Sequence, residues 1–362
     1  PNNAPWIPPR DWTRETWGIP WVTYGGDLGV FLGYGIQTQN FGFRKSPFAN
    51  SHRVRAGFSF GQKNGRADYL GEFHRENRAS SYGLYAYASG VEVLRFYGYG
   101  NETTSTAGDD DFYKVNANQY VLHPSFRIPF AGNGLISVGP AVKYTRSDED
   151  EVQFINEVKP YGVGDFGELA LFSVVSWDNR DSTIFPRKGA FAAVRGTYFP
   201  AVWDVTTDFG EVDGNVNAYL SAGRVLTLAL RGGGKKLFGN YPYTEAASIG
   251  EGGLGGGTLG EPQDTVRGYR ARRYMGDSSL WGNADLRLRI SRFNIILPGS
   301  WGIHGFGDVG RVWLKGETSD TWHAGVGGGI WLSLLADRMA FSTGISHSKE
   351  FNLYYFKGGF SY

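Results

Sequence analysis

Cysteine is absent from the 362 residues and methionine occurs twice. The first absence excludes a disulfide framework and thiolate chemistry, and it leaves cysteine usage silent about redox compartment. An excess of one charge is missing too: 36 basic residues face 35 acidic ones, a formal net charge of +1. That balance does not point to nucleic acid or to an acidic substrate. No run of about 18 apolar residues occurs, so no transmembrane helix is expected. The opening PNNAPWIPPR has neither a methionine nor an apolar leader segment. The expectation is a fragment of a longer chain, or a chain whose leader has been removed.

Glycine is plentiful, with 54 residues, and 16% of the chain is aromatic. Helical periodicity is scarce, whereas alternation with a period of two runs almost throughout. In DLGVFLGYGIQT, Leu28, Val30, Leu32, Tyr34 and Ile36 share one face, opposite Gly29, Phe31, Gly33, Gly35 and Gln37. RVLTLALR sets Leu226, Leu228 and Leu230 against Thr227, Ala229 and Arg231. Soluble sandwiches also alternate, but with short strands repeating about every 8 to 12 residues. Many segments here run to roughly 10 to 16 residues, with small residues crowding the polar face. Apolar toward lipid and polar toward a lumen is the pattern of a membrane barrel. The backbone requires the same solution, because in lipid every N–H and C=O must be paired and a sheet must close on itself.

Strands are expected near 27–41, 51–62, 65–76, 82–88, 91–99, 112–129, 133–146, 166–178, 188–200, 208–222, 224–238, 278–293, 300–314, 321–334, 338–347 and 351–362. The break at Ser89-Gly90 makes the total sixteen, the even number that antiparallel closure requires with both ends on one side. Short connections at Asn64-Gly65, Ser89-Gly90, Ala131–Gly134, Ala222-Gly223, Pro298-Gly299 and Ala336-Asp337 alternate with longer ones at 42–50, 100–111, 147–165, 201–207, 239–277 and 315–320. The predicted fold is therefore all-β: a 16-stranded antiparallel transmembrane β-barrel over residues 25–362. Residues 1–24 carry five prolines and four tryptophans and read as a periplasmic tether or plug-like entry segment.

Several short patterns resemble catalytic or binding motifs without their context. GFSFG, Gly57–Gly61, has the spacing of a nucleophile elbow, but Ser59 lies within an alternating strand with no helix after it. The histidines His52, His74, His123, His304, His323 and His347 lack metal-ligand spacing, so neither a metal nor a cofactor is expected. Asp109–Asp111 and Asp148–Glu151 read as solvated loop charge. The glycines from Gly250 to Gly260 have no P-loop lysine and no βαβ unit around them, which argues against a nucleotide site. An enzyme is not expected.

The loop over 239–277 is long enough to be functional. Arg267, Arg270, Arg272 and Arg273 need partners if they enter the lumen, because a buried arginine demands carboxylates. By alternation Asp285 in WGNADLRLRI and Asp308 in GFGDVGRVW face inward on the two strands that follow. The other three arginines are left without assigned partners.

VRGY, Val266, Arg267, Gly268 and Tyr269, resembles the signature of the BamA/TamA outer-membrane insertase and translocase superfamily, of the bacterial surface antigen type. In that family the long loop dips into a sixteen-stranded barrel, and its arginine pairs with acids on the next two strands. ADLRLRI and FGDVGRVW resemble those strands and imply Asp285 and Asp308 as the partners. SWDNRDSTIFPRKGAF is similar to the family's strand–turn–strand element, matched by Asp178, Arg180, Asp181, Pro186 and Gly189. The terminal YYFKGGFSY departs from the family's closing signal, with Lys357 where glycine is usual, though Phe360 and Tyr362 fit. The family's POTRA repeats are absent from this stretch.

The resemblance implies an integral outer-membrane barrel of a Gram-negative-type bacterium that assists protein insertion or translocation. Its implied partners are outer-membrane lipid, lipopolysaccharide, client outer-membrane proteins and a periplasmic domain before residue 1. Its seam is expected between 27–41, with Gly29, Gly33, Gly35 and the adjacent Gly42, and the last strand with Phe360 and Tyr362. Glycine weakens a strand interior, as a lateral gate would require; equally, these glycines would give room for a plug in the lumen. Two other readings stay open: an anchor or exporter for an upstream enzymatic or binding domain, and a passive porin.

Overall fold

The structure, a computed structural model, describes residues 11–25, 28–105, 111–147, 153–251, 264–294, 297–335 and 337–358. The strands are β1 (Arg14–Gly25), β2 (Gly29–Gly42), β3 (Lys45–Ser59), β4 (Asn64–His74), β5 (Ser81–Arg95), β6 (Lys114–Phe130), β7 (Gly134–Ser147), β8 (Asp165–Asp178), β9 (Gly189–Phe199), β10 (Phe209–Ala222) and β11 (Leu226–Gly239). They continue with β12 (Ala247–Ile249), β13 (Tyr274–Gly276), β14 (Ser278–Asn294), β15 (Pro298–Trp313), β16 (His323–Leu334), β17 (Met339–His347) and β18 (Asn352–Gly358). A short helix α1 (Phe154–Val158) sits between β7 and β8. Sixteen of the strands form one closed antiparallel barrel, in which each pairs with its chain neighbour, β11 pairs with β14, and β1 meets β18. The short strands β12 and β13 pair only with each other, inside the β11–β14 connection.

Alternation becomes burial directly. Along β14, Ser279, Trp281, Asn283, Asp285, Arg287 and Arg289 are buried, while Leu280, Ala284, Leu286 and Ile290 are exposed. A side chain on one face of a strand meets only the neighbours on that face. The exposed row is thus the lipid-facing belt and the buried row lines the interior. Charged groups can stay inside because they pair there: Arg55 with Asp68, Arg66 with Glu92, and Arg195 with Asp213, at 2.5–2.7 Å.

Two expectations are corrected by the strand boundaries. Residues 14–24, expected to belong to the entry segment, form all but the last residue of β1, which pairs with β2 from Arg14↔Asn40 to Gly25↔Gly29. Pro20 and the tryptophans disguised it, although proline is tolerated in edge strands. Conversely, Ser89-Gly90 is not a turn. β5 runs through it, with a register shift against β6 between Ser89 and Glu92. A glycine inside a strand marks a bulge at least as readily as a turn. The additional strand β1 and the unbroken β5 offset each other, so the barrel has the expected sixteen strands, while its first connections lie on the opposite rims from those expected. The expected long loop at 42–50 is a tight turn at 43–44, and Asn64-Gly65 opens β4 on the opposite rim.

With these boundaries, one end of the barrel carries the termini and the connections 43–44, 75–80, 131–133, 179–188, 223–225, 295–297 and 335–338. The other end carries the long connections 96–113, 148–164 and 240–277. Short periplasmic turns and longer external loops are the outer-membrane arrangement.

Candidate functional site

The site is built from the second half of the β11–β14 connection, residues 264–277, packed on the inner face of β14 to β18. Arg267 is its centre. The backbone N–H and Nε of Arg267 donate to Asp308 Oδ2 at 2.9 and 2.7 Å, and Nη2 donates to Asp308 Oδ1 and to Asp285 Oδ1, both at 2.7 Å. All three residues are buried. The guanidinium also lies over the Phe306 ring, 3.6 Å from its centroid. Charge-assisted, two-pronged contacts are what a planar guanidinium offers and an ammonium cannot. Asp285 has a second cation nearby, Arg287, at 3.7 Å.

Backbone contact depends on missing side chains. A Cβ on Gly325 of β16 would lie 1.9 Å from the Arg267 carbonyl oxygen, and one on Gly310 of β15 would lie 2.7 Å from Val266 Cγ2. Gly268 has φ +92°, a conformation that favours glycine. Tyr269 and Val266 are buried with Ile249, Tyr274, Trp281 and Val312 in one apolar cluster. The four signature residues therefore have distinct parts: an apolar wedge, a charged tie, a tight bend and a second wedge.

The loop is also bonded to the last strands. Lys357 of β18 is ion-paired with the buried Asp264. Gly268 N–H and Ser346 Oγ both donate to Glu251, and Ser348 Oγ donates to the Gly268 carbonyl. Each arginine that the sequence left unassigned has a place. Arg273 is held by both Glu350 oxygens at 2.5 and 2.9 Å and by Thr103, and stacks between Tyr97 and Tyr274. Arg272 donates to the Tyr243 carbonyl at 2.5 Å, and burial pushes its guanidinium below the usual range. Arg270 lies over Phe351. Thr103, Glu350 and Phe351 sit in other connections, and Tyr243 lies 29 residues back in the same one, which no local pattern could reveal.

A second tie joins the first half of the same connection to the wall formed by β7 to β11. The turn at Tyr243–Glu245 carries Glu245 to Lys143 of β7 and to Lys235 of β11, the latter at 3.7 Å. Lys143 also meets Glu168 at 3.1 Å, and Lys235 meets Glu211 at 2.5 Å. The network borders an internal cavity of about 350 Å³.

The strand–turn–strand residues occupy the other end of the barrel. Asp178 accepts from the Arg180 N–H and guanidinium, and Asp181 accepts from the Arg187 and Lys188 N–H groups. At Gly189, φ is +96° and a Cβ would lie 2.4 Å from the Asn179 carbonyl oxygen. Pro186 is buried, and its neighbour Phe185 packs on Trp331 of β16, 5.0 Å between ring centroids. This turn, far from VRGY, reaches across the mouth of the barrel from β8–β9 to β16.

The expected seam glycines are displaced by one strand. Gly29, Gly33, Gly35 and Gly42 belong to β2, and at Gly33 and Gly35 an added Cβ would strike β3 backbone oxygens at 2.7 Å. Their smallness serves close β2–β3 approach. The seam strand is β1, whose register with β18 is Tyr24↔Phe356, with Thr23 Oγ1 donating to the Phe356 carbonyl at 3.1 Å. Phe360, Tyr362, most of the glycine run and the acidic stretches apart from Asp111 lie outside the described residues. Ser59, in the elbow-like GFSFG, ends β3 and is fully buried, donating to the Leu28 carbonyl and accepting from the Gln62 N–H. Among the described residues, no group of three or more His, Asp or Glu is placed to hold a metal ion.

Residues 25–346 match the Omp85 superfamily domain. No curated protein sequence matches the chain. Among solved structures it is similar to BamA from Haemophilus ducreyi lacking POTRA domains 1–3, at 14% identity and a TM-score of 0.62, covering 96% of this chain and 70% of that one. It is also similar to CdiB from Escherichia coli, at 10% identity and a TM-score of 0.55, covering 97% of this chain and 63% of that one. The chain thus spans less than two thirds of the CdiB structure.

Proposed function

The chain belongs to the Omp85 superfamily of outer-membrane β-barrels, and from that premise we propose that it assists the insertion or translocation of other proteins at the outer membrane. The β1–β18 seam is the part that receives a client strand edge. The carrying observation is the contrast across β1. It has twelve register pairs with β2, but among the described residues only Tyr24↔Phe356 with β18. Every other neighbouring pair in the barrel has at least the seven pairs of β17–β18. An edge with unpaired N–H and C=O groups is a template for another strand. The lumenal tie of Arg267 to β14 and β15 holds the wall rigid beside a seam that is free to part.

In this reading the partners are client outer-membrane proteins, lipid and lipopolysaccharide, with a periplasmic domain preceding residue 1 to deliver clients. The chain itself does no covalent chemistry.

A chain without cysteine permits a clean test. Tyr24→Cys with Phe356→Cys places two thiols at the one seam register pair. Oxidation should stop the protein from promoting insertion of an unfolded client barrel into vesicles, and reductant should restore it. Full activity with the seam locked would overturn the gate and leave the anchor or exporter reading in its place.

A further inference from the structure

The short-turn rim carries a feature that neither the loop nor the seam uses. Arg44, Arg78, Lys188, Arg224, Arg292 and Arg338 are all exposed there, and among the described residues none of them makes an ion pair. They are spread one to a connection: 43–44, 75–80, 179–188, 223–225, the end of β14, and 335–338. Around the barrel these positions fall at β2–β3, β4–β5, β8–β9, β10–β11, β14–β15 and β16–β17. The cations form a ring and not a patch.

Exposed carboxylates do not balance them. Among the described residues of this rim the exposed acids are Asp11, Glu15, Glu76 and Asp181, fewer than the exposed cations, to which Arg14 adds a seventh, and Asp181 is engaged by the N–H groups of Arg187 and Lys188. Asp337 is half-buried and held by Arg289 at 3.1 Å. The opposite rim mixes its signs, with Glu102, Asp204 and Asp320 exposed alongside Lys63, Lys159 and Lys315.

Beside the cations stand apolar side chains that continue the lipid-facing belt: Phe43, Ile184, Val225 and Leu297 are 60, 47, 54 and 42% exposed. The Arg44 guanidinium rests 4.7 Å from the Phe43 ring centroid. An apolar body in the acyl region with a cation reaching up to the headgroups is how Arg and Lys sit at a membrane boundary.

We propose that this rim is a contact ring for the phosphates of anionic glycerophospholipids in the leaflet on the short-turn side. Distribution around the whole circumference fits an annulus of lipid, whereas a docked acidic protein would need its cations on one side. Spacing of one cation per connection offers single phosphate contacts and no chelating pocket for a free anion.

The test uses the full chain in phosphatidylcholine vesicles containing a trace of spin-labelled phosphatidylglycerol or spin-labelled phosphatidylcholine. The wild type should enrich the phosphatidylglycerol label in its motionally restricted shell by up to about fivefold, the factor expected for one Lys or Arg at a membrane surface. High salt should reduce the enrichment. Replacing all six residues by Gln should abolish it, while heat-modifiable migration on gels stays that of a folded barrel. Equal label selectivity in the wild type and the six-site variant would overturn the proposal and leave the ring to a soluble acidic partner. Loss of the enrichment on adding millimolar inorganic phosphate at constant ionic strength would overturn it in favour of a free-anion site.

Discussion

Arg267 and Asp308 meet through three hydrogen bonds: a backbone N–H, Nε and Nη2 of the one all donate to the carboxylate of the other, at 2.7–2.9 Å. The backbone bond matters as much as the charge. It fixes the main chain of the loop against β15, so that the side chain, the bend at Gly268 and the strand wall are oriented together. Asp285 on β14 takes the remaining reach of Nη2. One arginine therefore ties two neighbouring strands and the loop.

Replacing Arg267 by Ala leaves two buried carboxylates facing each other without their shared cation. Loss of one partner from a buried ion pair costs about 3–5 kcal/mol. The expected result is a lower midpoint for heat-modified gel migration and new protease cleavage within 240–277. Arg267→Lys should recover only part of the loss, since an ammonium cannot make the two-pronged contact. An Ala variant with unchanged midpoint and unchanged protection would show that the tie does not hold the loop.

Lys357 and Asp264 couple the last strand to the loop. Their ion pair is largely buried, with side-chain exposures of 18 and 1%. In a double-mutant cycle, Lys357→Met and Asp264→Asn should be non-additive in unfolding free energy by about 0.5–3 kcal/mol, as contacting charges are. Additive effects would mean that β18 moves independently of the loop.

How much of this was legible follows from which patterns are local. Alternation along a strand is local, so Asp285 and Asp308 could be assigned inward from sequence. Arg273 could not be assigned a partner, because Glu350 and Thr103 reach it from two other connections. β1 was hidden because its tryptophans and Pro20 break the aliphatic alternation seen in β2. The glycines of β2 suggest either a weak seam or room for a plug. They are small because β3 backbone oxygens stand where a Cβ would go. A sequence shows that a glycine is required more readily than it shows which neighbour requires it.

Glu245 gives the loop a pH dependence. Burial opposes its ionisation, but the Lys143 and Lys235 ammonium groups outweigh burial and hold its carboxyl well below the ordinary glutamate value of 4.5. A depressed carboxyl stabilises the folded form above its unfolded pKa, and that contribution is lost as pH falls through the folded value. Barrel stability should therefore decline as pH drops below about 4.5. Glu245→Gln should flatten this part of the profile and lower stability at neutral pH. Equal slopes in both proteins between pH 5 and 2 would remove Glu245 from the account.

Gly325 separates steric docking from charge. It lies on the inner face of β16 and carries no charge of its own, yet an added Cβ would stand 1.9 Å from the Arg267 carbonyl oxygen. That atom is backbone and cannot rotate away, so the loop must lift or β16 must bend. Because Gly325 pairs with Asp308 in the β15–β16 ladder, bending the strand would disturb the carboxylate as well. Gly325→Ala should thus expose the loop to protease as Arg267→Ala does, although every charge is retained. Combining the two should add little, since each removes the same docked state. If Gly325→Ala leaves the loop protected, the close approach of strand and loop is not needed for docking, and the charged tie alone is sufficient.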